Sequence, residues 1–291
     1  MNRFIVASLC AATLAGFGVS TAQQLPSAPA KAFGASITGA YEGWYDNPDG
    51  SHVFLVGYYN RNISTAMDIP IGPNNRIEPG GPDLGQPTHF LPGRHTGVFT
   101  VTVPKAFSLQ QRLTWTITVN GVTTSIPFKL NADYTVSPFS EAAIGNKPPI
   151  AHLFDVNAAP LQGPIASMAA AVGRATPVSA ALSLPVWVND DAKYTSGSNA
   201  PMRNPPPPVS ITWAMFRGPG AVTFDNAKPK LDVLTGGAVG VPFSGKAATK
   251  ATFSEAGEYV LHLTLNDYSG NGGAGEVCCW TTALVKVTVT P

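Results

Sequence analysis

Cysteine is scarce in this chain, with three in 291 residues. Cys10 falls inside an apolar N-terminal run. Leu9 directly precedes it and Ala7 sits at the third position back, a pattern that does not suit lipid attachment. Cys278 and Cys279 are adjacent, so they cannot tie distant loops together, and a fold stapled by several disulfides is excluded. Three readings stay open for the pair: a vicinal disulfide, one buried and one exposed thiol, or a bond to another chain. Charge is scarce too. Only 12% of residues are charged and the formal net charge is +1, which excludes the electrostatic footprint of a nucleic-acid or anionic-membrane binder. Catalytic signatures are also missing. No Gly-x-Ser-x-Gly elbow occurs. His89 and His95 flank Pro92-Gly93-Arg94 in a spacing that matches no compact zinc motif, and they read as loop residues facing water.

The one long apolar run lies at the start. Met1-Asn2-Arg3 is a short basic opening, Phe4 to Val19 is apolar, and Ser20-Thr21-Ala22 supplies small residues before Gln23. This is the order of a cleaved signal peptide over residues 1–22, and the run falls short of the roughly 20 residues that span a bilayer. Cleavage after Ala22 removes one basic residue and leaves equal numbers of positive and negative charges. The mature protein is therefore expected to be secreted or periplasmic, without a membrane span.

Turn formers are abundant, with 29 glycines and 27 prolines, well above average usage. They punctuate short alternating runs, which predicts an all-β fold of two β-sandwich modules joined by a Pro-rich linker. A flexible leader occupies 23–35, a first module 36–136, the linker 137–165 and a second module 166–291. In the first module, Asn47-Pro48-Asp49-Gly50 predicts a turn between two strands, and Asn120-Gly121 predicts a tight hairpin. Between them, Ile69 to Arg94 is dense in proline and glycine and fits no period. A long structureless loop of this kind is expected to be a contact surface.

The second module carries Trp213, then Arg217-Gly218-Pro219-Gly220-Ala221-Val222-Thr223-Phe224, then Phe253-Ser254-Glu255-Ala256-Gly257-Glu258-Tyr259-Val260-Leu261, and a terminal Val287-Thr288-Val289. These residues resemble the bacterial Ig-like domains of the polycystic-kidney-disease (PKD) type. The resemblance covers roughly the last 110 residues and implies an Ig-like sandwich with Trp213 in the core and Tyr259 as a tyrosine-corner residue. It departs from the family in the Tyr194–Pro208 loop, the Gly236–Gly245 stretch and Cys278-Cys279-Trp280. The family is a spacer and recognition fold, which favours binding over catalysis. The first module resembles no family.

Candidate binding residues follow from these readings. Trp44, Tyr45, Tyr58 and Tyr59 cluster on the first hairpin, either as core or as a platform for a sugar or a protein. Arg76, His89 and Arg94 lie on the Ile69–Arg94 stretch. Asp190, Asp191 and Asp267 offer hard oxygen ligands for Ca²⁺ from two loops, the one cofactor the sequence suggests, although Asp is also an ordinary turn former. His262 alternates with leucines and is expected to face solvent. Glu42 with Asp46 or Asp68 is the carboxylate pair a glycosidase would use. Asn62-Ile63-Ser64 matches a glycosylation acceptor. The function expected is a non-catalytic binding or structural protein that contacts a protein or polysaccharide of the cell envelope or extracellular space. The alternative is a hydrolytic enzyme with an unrecognised first domain.

Overall fold

The computed structural model describes residues 30–141, 145–193, 209–236, 241–267 and 278–291. The segment expected to be a signal peptide, most of the expected leader and the Tyr194–Pro208 stretch lie outside the described residues. Strands dominate what is described, with a single 3₁₀ turn at Ala132–Tyr134.

In the first module, β1 (Ile37–Asp46) and β2 (His52–Asn60) form the expected hairpin, closed by backbone bonds between Asn47 and Ser51 and with Gly50 at φ +82°. Two short strands follow, β3 (Met67–Asp68) and β4 (Asn75–Glu78), then β5 (His89–Phe90) and β6 (Gly93–Val103). Strands β7 (Leu113–Val119) and β8 (Val122–Phe128) meet at Asn120-Gly121. Both turn residues have positive φ, as a two-residue hairpin requires. The strand order is β1-β2-β6 in one sheet and β4-β7-β8 in the facing one. Phe54, Phe99, Trp115 and Phe128 fill the space between them.

The Ile69–Arg94 stretch is not a structureless loop. Asn75, fully buried, pins it: Nδ2 donates to the carbonyls of Ile69 and Pro87 at 2.9 and 2.8 Å, and Oδ1 accepts from Trp115 Nε1 at 2.9 Å. One amide thus satisfies three buried groups that a proline-rich segment cannot pair by itself. Asn62, also buried, spends Nδ2 on Ala35 O and Asn60 Oδ1, so the acceptor sequence is built into the fold.

The second module holds two facing sheets. The first contains β9 (Ile150–Leu153), β10 (Leu161–Gln162), β12 (Leu182–Asp190), β14 (Val222–Phe224), β15 (Asp232–Thr235) and β16 (Phe243–Phe253). The second contains β11 (Val172–Pro177), β13 (Val209–Arg217), β17 (Gly257–Asp267) and β18 (Trp280–Thr290), in the order β11-β18-β17-β13, with β11 parallel to β18. Strand β16 alternates buried and exposed residues along nearly its whole length, as a sheet with one solvated face should. Trp213 is core, and Tyr259 OH donates to Glu255 O at 3.0 Å, the bond of a tyrosine corner.

Strands β9 and β10 arise from residues expected to form the linker. The rest of that segment is equally committed. Gly163 N and Ala166 N donate to the hydroxyls of Thr281 and Thr282 on β18, while Ala166 O accepts from Thr100 N on β6 at 2.8 Å. The segment ties the modules together rather than holding them apart.

The modules also share apolar surface. Strands β17 over residues 259–263 and β18 over residues 280–285 are buried on both faces, and Phe216, Val260 and Leu284 project from the outer face into the same cluster as Phe99 and Trp115. Gly97, at φ +54°, lies against the Trp280 indole so closely that a Cβ would collide with the ring. Arg217 closes the seam. It forks onto both oxygens of Asp83 at 2.9 and 2.8 Å, donates to Gln86 O, and leaves Phe216 O to accept from Thr88 N. The expected contact surface of the Ile69–Arg94 stretch is therefore turned, in part, onto the chain's own second module.

Two substitutions test these contacts by urea unfolding. Tyr259→Phe is expected to cost about 1 kcal/mol, the worth of one hydrogen bond. Gly97→Ala is expected to cost about 1–3 kcal/mol through overpacking against Trp280.

Candidate functional site

Where the modules meet, the outer face of β13 and β17 does not close fully against β5 and β6. A cavity of about 750 Å³ remains. Its walls come from three places: Tyr58, Arg94, His95 and Val98 of the first module, Thr212, Ala214, His262 and Asn266 of β13 and β17, and the Lys228–Val233 segment leading into β15. The size is that of a ligand pocket.

Its polar groups are few and largely committed. His262 is buried, not solvent-facing as alternation suggested, because the first module covers this side of β17. Its Nε2–H donates to Val98 O at 2.8 Å and Thr264 Oγ1 lies 3.3 Å from Nδ1, so the ring is the neutral tautomer with both nitrogens engaged. Burial holds its pKa down at about 4. His95 donates from Nε2 to Pro92 O, stacks on Tyr58 with ring centres 4.9 Å apart, and is also lowered by burial. Arg94 donates to Tyr58 O, His95 O and Glu42 Oε1. Burial raises the Glu42 carboxyl above its usual range even with Arg94 beside it.

Lys228 and Lys230 are exposed at the mouth, and no acidic residue is among those lining the cavity. Asn266 Oδ1 is buried in the wall without a hydrogen-bond partner. An orphaned acceptor in a cavity wall calls for a donor from whatever fills it. Such a site offers apolar area, one waiting acceptor and a cationic mouth, and its imidazoles are occupied rather than poised for proton transfer.

Of the sequence candidates, Tyr58, His89 and Arg94 line this cavity. The remaining aromatics lie elsewhere. Trp44 is half-buried and donates from Nε1 to Asn131 O at 2.8 Å. Tyr45 is buried and packs edge-on against Phe139. Tyr59 is half-buried with the Arg61 guanidinium over its ring. Arg76 pairs with Glu78. The carboxylates considered as a glycosidase pair each face a different partner: Glu42 faces Arg94, Asp46 faces His52 and Asp68 faces His89. His95 and His262 were read as facing water, and Lys228, Lys230 and Asn266 were not among the candidates for this site. The outer face of β17 reads Glu258, Val260, His262, Thr264 and Asn266, so only Val260, with Leu284 on β18, signals a covered sheet.

At one end of the second sandwich, Asp190 and Asp267 are both buried beside Asn146. Asp190 is pushed up to about 7 by burial first, opposed by a bond from Ala192 N and helped by the charges of Asp267 and Asp191. Among the described residues, no three His, Cys, Asp or Glu side chains are grouped as an ion would need by themselves. Cys278 and Cys279 are joined as a vicinal disulfide in the structure, and both sulfurs lie near Asn146 O.

No protein-family model matches the chain, and no curated protein does either. Several solved structures align over most of it. Domains 4 and 5 of the S-layer protein SbsC cover 88% of this chain and 98% of theirs at 11% identity and a TM-score of 0.20. CfaE, the adhesive subunit of CFA/I fimbria of enterotoxigenic Escherichia coli, covers 88% and 87% at 7% identity and 0.24. The collagen adhesin CNA from S. aureus covers 88% and 92% at 8% identity and 0.19. At these scores the likeness carries no argument about function.

Acid should loosen the seam. His262 has a folded pKa of about 4 against an ordinary 6.5, so the folded state disfavours its protonation. Its contribution is complete above pH 6.5 and is lost as pH falls toward 4. Melting temperature is expected to drop across that window, and His262→Gln is expected to flatten the drop. Asp190 acts with the opposite sign, its contribution being lost as pH rises through about 7.

Proposed function

We propose that this chain is an exported, non-catalytic binding protein that holds a protein partner at the cavity between its modules. The observation that carries the reading is the cavity mouth. Lys228 and Lys230 sit there with Val233, which lines the cavity and is 56% exposed, and with Leu231. An exposed apolar side chain at the rim of a largely apolar cavity marks a surface that a partner covers. The partner inserts an apolar side chain into the cavity and sets acidic groups against the two lysines. A polysaccharide, the other partner the sequence suggests, would use few of these apolar groups.

Export rests on the basic, apolar and small-residue order of residues 1–22. It is supported by the Cys278–Cys279 disulfide, a bond favoured in oxidising compartments. Secretion and retention in the periplasm both satisfy these observations. No helix among the described residues is long and apolar enough to cross a membrane. Assignment of the second module to the PKD type rests on Trp213, the Gly218-Pro219-Gly220 turn and the Tyr259 corner.

A photo-crosslinking residue at Val233, compared with one at the exposed Leu109 outside the cavity, tests the reading in the producing cell. Val233 is expected to capture one recurrent protein that Leu109 does not. Ala214→Phe, which fills the cavity, and Lys228→Glu with Lys230→Glu are expected to reduce capture at least tenfold, the worth of about 1.4 kcal/mol. Equal capture from both positions would contradict the reading, as would hydrolytic turnover abolished by Glu42→Gln.

A further inference from the structure

The mouth of the cavity is bordered by two strands that stand at the edges of facing sheets, and one of those edges is taken. Strand β13 ends the β11-β18-β17-β13 sheet. Backbone bonds from Trp213 N to Ala227 O at 2.8 Å and from Thr88 N to Phe216 O at 3.1 Å close its outer side. Strand β15 lies outside β16 in the other sheet, and β16 is its one partner strand among the described residues. No further backbone hydrogen bond to Asp232–Thr235 occurs among the described residues.

A strand edge of this kind offers main-chain donors and acceptors to another chain. Proline removes a donor, and the edge strands β8 and β11 carry Pro127 and Pro177. Strand β15 carries no proline, and all four of its residues are exposed, Leu234 at 58%. So short a strand holds little by main-chain bonds alone, and side chains must share the binding. Val233 lines the cavity, Lys228 and Lys230 precede the strand at the mouth, and no acidic residue is among those lining the cavity. Asp232, the acid next to Val233, faces Lys246 in the register with β16.

We propose, resting on the reading of the cavity as a protein-binding site, that the partner docks as an extended, acidic segment that adds a strand to the free edge of β15. Main-chain hydrogen bonds to β15 align the segment, and alternate side chains select it. An apolar side chain beside Val233 enters the cavity, and acidic residues at the end of the segment that passes Lys228 and Lys230 meet their charge. The pairing of β15 with β16 steps over Leu234, since Val233 faces Gly245 and Thr235 faces Ser244. A main-chain change at Leu234 therefore disturbs the existing register less than one at Val233.

The test places a photo-crosslinking residue singly at Asp232, Val233, Leu234 and Thr235 in the full chain in the producing cell and sequences the linked peptides by mass spectrometry. The expected result is one partner segment whose linked position advances about one residue for each step along β15, always in one direction. Linked positions that recur roughly three or four residues apart, as on a helix, that scatter over several partner segments, or that belong to a second copy of this chain would overturn the proposal. Leu234→Pro, which removes a main-chain donor, is expected to lower capture at Val233 at least about tenfold with the near-UV spectrum kept, while Leu234→Ala keeps capture. Undiminished capture with the proline variant, or equal loss with alanine, would also overturn it. Should the proline variant change the near-UV spectrum, the linked positions decide alone. Capture at Val233 with the wrong pattern sinks strand addition and leaves the protein-binding reading standing, whereas no capture at Val233 at all sinks both.

Discussion

The structure depends on one buried contact, the outer face of the β13-β17-β18 sheet against the first module. An Ig-like sandwich ordinarily leaves such a face to water. Here Phe216, Val260 and Leu284 enter the first module's own core, and Gly97 lets the Trp280 indole approach the β6 backbone. Apolar burial supplies the attraction without direction. The Arg217 fork onto Asp83 and Gln86 O, together with Asn75 within the 69–94 stretch, supplies the register.

The cavity is a consequence of that contact. Two twisted sheets from separate modules touch at Phe216 and at Trp280 and part between them. The residues that line the gap are therefore those a closed interface would have spared: small Ala214 and Thr212, a histidine whose nitrogens are both engaged, and an amide with one oxygen waiting. The Gly163–Ala166 segment, bonded to β18 on one side and β6 on the other, holds the gap at its width. The cationic mouth, with Lys228, Lys230 and the exposed Val233, then gives the gap its chemical character.

Local elements were legible where turn chemistry is local. Gly50 and Asn120-Gly121 specified two hairpins, and the Gly257–Leu261 run specified the Tyr259 corner. What failed to read was long-range. The proline-dense 69–94 stretch carries no period because its order comes from Asn75 and from the second module, not from its own backbone pairing. The 137–165 segment reads as a spacer by composition, yet its four-residue β9 is too short for a periodic signal and is held by β12. His262 alternates like a surface residue, and its face of β17 (Glu258, Val260, Thr264 and Asn266 beside it) is mostly polar, so the cover comes from the first module and not from a local pattern. Of the candidate residues, Tyr58 sits on a legible hairpin strand, while His89 and Arg94 came from reading the proline-dense 69–94 stretch as a contact surface. Lys228, Lys230 and Asn266 matter only through the meeting of the modules.

Scanning calorimetry of the intact protein decides whether the modules fold and melt as one unit across this shared face. A single transition is expected whose calorimetric and van't Hoff enthalpies agree, and which Val260→Asp moves down as a whole. Two resolved transitions, with the Val260→Asp effect confined to one of them, would contradict it.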